Sequence, residues 1–173
     1  KDAKNSIPVA SHSLIGKKVN TSVTKNQLVK FNTLSPKIGA VIVARCSSSR
    51  LPKKALMKID GRESIALVID RVKRCSEVDQ IILSTTNEPE DDQLVSIAER
   101  EGIEYYRGPT ENVALRYLET VEAYNLEHFV RITGDSILCD AVTIDKAIIS
   151  HLNSSCDVTF IKGVPFGTDK EIV

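Results

Sequence analysis

The residues best suited to chemistry in this sequence form a basic loop directly after an apolar run. Residues 45–58 contain Arg45, Arg50, Lys53, Lys54 and Lys58 and not one acidic residue. Guanidinium and ammonium groups suit phosphate oxygens, and the serines of the loop add hydroxyl and backbone N–H donors. The loop is neither a Walker A loop nor a G-x-G-x-x-G motif. Its composition indicates an anion site, and a solvated basic loop would have the same composition.

A second candidate is the acidic residue that ends the segment 130–136, Val-Arg-Ile-Thr-Gly-Asp-Ser. Asp135 follows an apolar segment and a glycine, where a carboxylate suits a hard cation such as Mg²⁺. Gly-Asp is also common in simple turns. Beside a polybasic loop the metal interpretation gains weight, because a metal and basic side chains together neutralise phosphates.

Two further segments carry candidate polar residues. Thr110 could cap a helix that begins at Glu111, and Arg116, one turn inside that helix, could face solvent or a ligand. Asp169 and Glu171 alternate on a possible strand, where paired carboxylates could serve a metal or sugar hydroxyls or simply lie at the surface.

The elements that must position these residues alternate between strands and helices. Strands are predicted at 38–44, 80–86, 103–106, 128–133 and 157–161, and helices at 63–75, 89–102, 111–124 and 142–152. Such alternation predicts an α/β fold with an open, mostly parallel sheet in three layers. Because ligands bind beyond the carboxyl ends of the strands in such sheets, the loops after the strands are the expected site.

Charge and composition limit the possible functions. The 23 basic and 23 acidic residues cancel, but residues 1–37 hold seven Lys against Asp2 alone, which leaves the remainder acidic. An acidic domain disfavours nucleic acid as a partner. The four cysteines and three histidines have no metal-ligand spacing, and no nucleophile motif favours covalent catalysis. Without a membrane span or a signal peptide, a soluble, cytoplasmic protein is expected.

Several motifs between residues 38 and 173 resemble one family in order and spacing. The sequence is similar to the sugar cytidylyltransferases that make CMP-activated 3-deoxy-octulosonate and acylneuraminates, and most similar to their spore-coat polysaccharide branch. The motifs are Ala44-Arg45 with Ser48, Arg50-Leu51-Pro52 and Lys54-x-Leu56; Asn87-x-Pro89-x-Asp91-Asp92; Arg107-Gly108; Asn112-Val113-x-x-Arg116-Tyr117; Arg131-Ile132-Thr133-Gly134-Asp135; and Gly167-x-Asp169-x-Glu171.

The resemblance implies a GT-A-like fold and the reaction of CTP with an acidic sugar to give CMP-sugar and pyrophosphate, with Mg²⁺, for surface polysaccharide biosynthesis. It implies a nonulosonic, acylneuraminate-like sugar and a homodimer. Carried over by residue, it assigns triphosphate contacts to Arg45, Ser48, Arg50 and Lys54, the metal to Asp135 and Asp169, and a place near the base or sugar to Asn112 and Arg116. It makes Arg45, Lys54 and Asp135 the catalytic group.

The resemblance also sets expectations for the rest of the chain. The family loop usually has Gly where this chain has Lys53, and its members continue past the point that corresponds to Val173, so a fragment is expected. Residues 1–37 are expected to be a basic linker or a remnant of the SAF domain that ends sialic acid synthases, before a cytidylyltransferase-like domain at 38–173. The alternatives are a catalytically silent nucleotide-binding or scaffolding module, and a transferase of the same fold that uses another nucleotide.

Overall fold

Strands and helices alternate along the chain, as the apolar patterns predict. The computed structural model describes residues 36–48, 51–164 and 170–173, so most of the segment 1–37 lies outside the described residues. The strands are β1 (Ile38–Val43), β2 (Lys58–Ile59), β3 (Arg62–Glu63), β4 (Gln80–Thr86), β5 (Glu104–Gly108), β6 (His128–Thr133), β7 (Thr159–Phe160) and β8 (Glu171–Ile172). The helices are α1 (Ser64–Val72), α2 (Asp92–Arg100), α3 (Val113–Ala123) and α4 (Ala141–Leu152).

The main sheet has the spatial order β5-β4-β1-β6-β8-β7. Its first four strands are parallel, with β1 between β4 and β6, so Val43 at the end of β1 is level with Thr133 at the end of β6. From β1 the main sheet continues to β4 and β5 on one side. The connection after β5 then crosses to β6, on the other side of β1. The gap between the carboxyl ends of β1 and β6 is therefore the topological switch point, where ligands bind in sheets of this kind.

Both faces of the sheet are covered, which confirms the predicted three layers. Alternate residues of β1 serve opposite faces, since Ala40 and Ile42 pack with α1, α2 and α4, whereas Val41 packs with Tyr117 of α3. A strand buried on both sides requires an apolar run of the kind that residues 38–44 supply. In the ranges that the structure describes, none of the helices is long and apolar enough to cross a bilayer.

The structure departs from the prediction in three places. The strand predicted at 157–161 is only Thr159–Phe160, and β8 lies between it and β6, antiparallel to both. Residues 58–63 form a small antiparallel hairpin, β2–β3, that the helical pattern of the following segment did not indicate. The helix predicted from Pro89 begins with a 3-10 turn, Pro89–Asp91, before α2.

Candidate active site at the switch point

A pocket with a volume of ≈ 340 Å³ opens between the ends of β1 and β6. Its walls come from the loop after β1, the loop after β6 and the start of α3. Five residues predicted from the sequence line it, namely Arg45, Ser48, Lys54, Arg116 and Asp135. Four polar or cationic side chains and one carboxylate therefore share one cavity at the edge of the sheet where a ligand is expected.

The loops after β1 and β6 meet at Gly134. Its N–H donates to the carbonyl oxygen of Val43 at 2.9 Å. A Cβ at Gly134 would lie 2.8 Å from the Cβ of Ala44 and 3.2 Å from Cδ1 of Ile65. A side chain there would force the two loops apart, so this glycine allows Asp135 to lie beside the basic loop.

Lys54 and Asp135 form an ion pair in the pocket, with 2.5 Å between Nζ and Oδ2. Burial acts to raise the pKa of Asp135, but hydrogen bonds from Lys54 and Thr133 outweigh it, so the pKa lies below its usual range. The Lys54 and Asp135 side chains remain 34% and 51% exposed. Asp135 is therefore ionised at neutral pH, and both side chains are within reach of a ligand.

Arg116 is the one strongly buried cation of the pocket lining. It is 1% exposed, its Nη1 donates to the carbonyl of Pro109 at 2.8 Å, and its Nε has no hydrogen-bond partner. Burial lowers the pKa of Arg116, and the positive charge of Arg45 lowers it further. A buried donor without an acceptor is costly. An anion in this pocket would supply an acceptor and offset the repulsion between the two arginines.

Two arginines hold turns beside the pocket, since Arg45 bonds the turn before α3 and Arg107 bonds the turn after β4. Nη1 of Arg45 donates to the carbonyl of Thr110 at 3.3 Å. Arg107, at the end of β5, donates through Nε to the carbonyl of Thr86 and through Nη2 to that of Glu88, each at 2.9 Å. Arg45 thus ties the loop after β1 to the turn before α3, and Arg107 ties the end of β5 to the end of β4.

The capping prediction for α3 is wrong by two residues. Asn112, and not Thr110, is the N-cap, and its Oδ1 accepts from the N–H of Leu115 at 2.9 Å. Thr110 donates its hydroxyl to Oε1 of Glu88 at 2.9 Å. Asn112 has the stronger preference for the position because its side-chain oxygen reaches the third helical N–H well. Its predicted contact with the base or sugar remains a prediction, with Nδ2 as the group that capping leaves unused.

Asp91 holds the loop after β1 from beneath, a role that sequence reasoning did not assign. The carboxylate is 1% exposed and accepts from the N–H of Cys46 at 2.7 Å, from Oγ1 of Thr85 at 2.9 Å and from both the N–H and the hydroxyl of Thr86. Burial acts to raise the pKa of Asp91, but these hydrogen bonds outweigh it and hold the pKa below normal. The sequence signal for this residue was the motif around Pro89, but that motif did not indicate which groups the Asp91 carboxylate would bind.

The start of the basic loop is a tight turn around the carbonyl of Cys46. This oxygen accepts from the N–H of Ser48 at 3.0 Å and from that of Lys53 at 2.9 Å. Lys53 has φ = 55°, in the left-handed region that favours glycine. The position at which the resemblance implies a glycine is thus one at which glycine avoids strain.

Two predicted site residues, Arg50 and Asp169, lie outside the described residues. Glu171, which was grouped with Asp169, lies in β8 and forms an ion pair with Arg131 of β6, with 2.8 Å between Oε1 and Nη2. In the described part of the chain no three His, Cys, Asp or Glu side chains are grouped as a metal site. Asp135 still fits as one Mg²⁺ ligand, because Mg²⁺ commonly takes one or two carboxylates and completes its shell with substrate phosphates and water.

Comparison with known proteins agrees with this architecture. The family model for cytidylyltransferases matches residues 40–173. The spore coat polysaccharide biosynthesis protein SpsF of Bacillus subtilis is 28% identical over 137 residues, which cover 77% of this chain and 57% of that protein. The 3-deoxy-manno-octulosonate cytidylyltransferase of Pelobacter propionicus is 37% identical over 112 residues, which cover 64% of this chain and 43% of that protein.

Solved structures show the same fold. A cytidylyltransferase from Leptospira borgpetersenii serovar Hardjo-bovis superposes with a TM-score of 0.75 at 29% identity, and the match covers 80% of this chain and 60% of that one. The chain spans about half the length of the curated relatives that it matches.

Proposed function

Because this chain belongs to the cytidylyltransferase family, we propose that its pocket binds CTP and supports transfer of the cytidylyl group to a sugar with release of pyrophosphate. The observation that carries the proposal is the convergence of Arg45, Ser48, Lys54 and Arg116 on one pocket that also holds Asp135. Their charges suit a triphosphate, and the unpaired Nε of Arg116 suits an incoming anionic oxygen.

In this reaction a sugar hydroxyl oxygen attacks the α-phosphorus of CTP, and the bond from that phosphorus to the pyrophosphate oxygen breaks. Such a step depends on alignment and on neutralisation of charge rather than on a protein nucleophile. Arg45 and Lys54 hold the phosphate oxygens, and Ser48 donates to them. Mg²⁺, held by Asp135, supplies further neutralisation of the phosphates when bound.

The acceptor that we propose is an acidic sugar of the nonulosonic, acylneuraminate-like class, for use in surface polysaccharide. The name of one relative supports it, since that relative acts on 3-deoxy-manno-octulosonate, which is a sugar acid. The same proposal has three further parts. Arg50, Asn112 and Asp169 contact the ligand, the protein is a homodimer, and the chain divides into segments 1–37 and 38–173.

The first experiment is a calorimetric titration of CTP with Mg²⁺ into the chain, with UTP and GTP as controls, followed by pyrophosphate release in the presence of candidate sugar acids. We expect saturable binding that is selective for CTP. Asp135→Asn should weaken Mg²⁺-dependent CTP binding about 10-fold or more, since it removes one charged contact of about 1.5–3 kcal/mol. Asp157→Asn, at an exposed site far from the pocket, is the matched control and should leave binding unchanged.

The other readings give different results in the same experiment. CTP binding without turnover with any sugar acid would indicate a nucleotide-binding module, and preference for UTP or GTP would indicate a transferase of another nucleotide. A folded chain that binds no nucleotide would refute the assignment of the pocket.

A further inference from the structure

A second cluster of chemically active side chains lies at the amino edge of the sheet, opposite the nucleotide pocket. His128 is the first residue of β6, His151 lies in the last turn of α4, Thr159 is in β7, and Cys156 lies in the connection between the last two elements. Asp135 follows the other end of β6, about 20 Å away at the rise of an extended strand. The cluster is therefore separate from the proposed CTP site.

The side chains form a continuous line of contacts. Nδ1 of His128 lies 3.1 Å from Nε2 of His151, whose Nδ1 lies 2.9 Å from Oγ1 of Thr159. Oγ1 of Thr159 lies 3.3 Å from Sγ of Cys156, and that sulfur is also 2.8 Å from Oγ of Ser154 and 3.9 Å from Nδ1 of His151. Two hydroxyls and an imidazole thus surround one sulfur.

The contacts permit a consistent direction for proton transfer. The thiol of Cys156 donates to Oγ1 of Thr159, the Thr159 hydroxyl donates to Nδ1 of His151, and Nε2–H of His151 donates to Nδ1 of His128. A proton that leaves the sulfur can reach His151 through the Thr159 hydroxyl. The Thr159 and Ser154 hydroxyls can then reorient and donate to the thiolate, which is the nucleophilic form of cysteine.

The side chains of the cluster differ in burial, which distinguishes a buried imidazole that can act as a base from an exposed thiol that can act as a nucleophile. His151 is 2% exposed, whereas Cys156 is exposed. Hydrogen bonds from Ser154 and Thr159 hold the pKa of Cys156 below normal, and the carboxylate of Asp157 acts against them. In contrast, burial raises the pKa of Cys46 and Cys75 to about 12 each.

The remaining ionisable groups of the cluster are the pair of His128 and His151 and the neighbouring Glu127. Burial lowers the pKa of His128, and His151 lowers it further, while Glu127 acts to raise it. Since the two imidazoles contact each other, only one of them readily carries a proton.

We propose that Cys156 is a site of thiol–disulfide exchange with small, uncharged disulfides, assisted by the His151–His128 pair. The Cys156 thiolate attacks one sulfur of the disulfide, a new S–S bond forms to Sγ, the original S–S bond breaks, and the other sulfur leaves as a thiolate. The proton from Cys156 passes to His151 and returns to the departing thiolate. The disulfide is the oxidant, so no other co-reactant is needed. An uncharged disulfide is favoured because Asp157 repels anionic ones.

The test is the rate of reaction of the full chain with bis(2-hydroxyethyl) disulfide between pH 5.5 and 9.5, followed by intact mass. A synthetic peptide of residues 150–160 is the control, since it has the same neighbours in sequence without the fold. We expect the pH midpoint of the rate to be lower in the chain than in the peptide, and the rate at pH 7 to be about fivefold higher. Cys156→Ser should abolish the adduct. An equal midpoint and rate in chain and peptide would overturn the proposal.

Two variants examine the relay itself. His151→Gln and Thr159→Val, each checked for folding by circular dichroism, should move the midpoint back toward that of the peptide. If a folded His151→Gln protein keeps the wild-type midpoint, His151 does not assist the thiol and the proposal fails. If His151→Gln does not fold, His128→Gln decides the question, because it removes the partner of His151 and leaves the contacts of Cys156 in place; a folded His128→Gln protein with the wild-type midpoint would overturn the proposed assistance by the histidine pair. CTP binding enters none of these readouts, so this proposal stands apart from the function of the pocket.

Discussion

Replacement of the buried carboxylate of Asp91 by an amide tests how the basic loop after β1 is held. One carboxylate oxygen accepts from the N–H of Cys46, and the other accepts from Thr85 and twice from Thr86. Asp91→Asn keeps the shape but replaces one acceptor by an NH₂ donor. Threonine hydroxyls can rotate to accept from it, but a backbone N–H cannot.

The expected cost follows from that count. Whichever way the Asn side chain is turned, one backbone N–H, that of Cys46 or of Thr86, faces a donor at a site that is 1% exposed. A buried N–H without an acceptor costs about 1–3 kcal/mol, and loss of the charge weakens the remaining bonds. We expect Asp91→Asn to lower the free energy of unfolding by about 3 kcal/mol at pH 7. Since Cys46 lies between Arg45 and Ser48, which line the pocket, CTP binding should weaken as well.

The effect depends on pH with a definite sign. The folded-state pKa of Asp91 is lowered, so its contribution is complete above the unfolded-state pKa of about 3.9 and is lost as the pH falls through the folded-state value. The difference in unfolding free energy between the wild type and Asp91→Asn should therefore be constant from pH 7 down to about pH 5 and shrink below about pH 4.

Urea unfolding followed by circular dichroism measures both quantities. The matched control is Asp92→Asn, the same change at the next residue, where a side chain 64% exposed forms a surface ion pair with Arg107. That pair should contribute less than about 1 kcal/mol. If Asp91→Asn costs no more than Asp92→Asn, or if the cost of Asp91→Asn grows as the pH falls below 4, the account of the buried carboxylate is wrong.

Three further changes give distinct signatures. Arg116→Met should leave the free energy of unfolding unchanged or raise it, because a buried cation with an unpaired Nε gives way to an apolar chain, yet weaken CTP binding about 10-fold in calorimetry. Lys53→Gly should raise the free energy of unfolding by about 0.5–1 kcal/mol by relief of a φ of 55°, whereas the control Lys146→Gly within α4 should lower it by about 1 kcal/mol. In Lys54→Met the pKa of Asp135, followed by NMR titration of its carboxyl carbon, should rise, because burial then acts without its main opposing hydrogen bond; an unchanged pKa would contradict the role of the ion pair.

The fold was predictable because its central strands are buried on both faces. A short, fully apolar run such as residues 38–44 is typical of a strand in the centre of a sheet that is covered on both faces. The alternation of such runs with amphipathic helices predicts a parallel sheet. Placement of Arg45 and Asp135 at one edge follows from that topology, since both come directly after parallel strands. The place of Arg116 in the pocket was left open, because the sequence did not show which way that face of α3 is turned.

The remainder depended on contacts that local sequence does not encode. Asp91 finds the N–H of Cys46 across 45 positions of chain, and nothing in its own neighbourhood indicates that it is buried. The sequence indicated a possible strand around Glu171, but nothing in it placed that strand between β6 and β7, where β8 lies by antiparallel pairing. The choice between Thr110 and Asn112 as the N-cap was a matter of two residues, which is the usual uncertainty of a helix end.

The ion pair of Lys54 and Asp135 gives the pocket a property that neither residue has alone. While the two charges hold each other at 2.5 Å, the carboxylate is less available to a cation and the ammonium to an anion. A cation that takes Asp135 releases Lys54, and an anion that takes Lys54 releases Asp135. Each ligand therefore removes the competitor of the other, and by thermodynamic reciprocity both must gain the same factor in affinity. If the proposed function is right, the metal and the phosphate should therefore bind cooperatively, each replacing one partner of this ion pair.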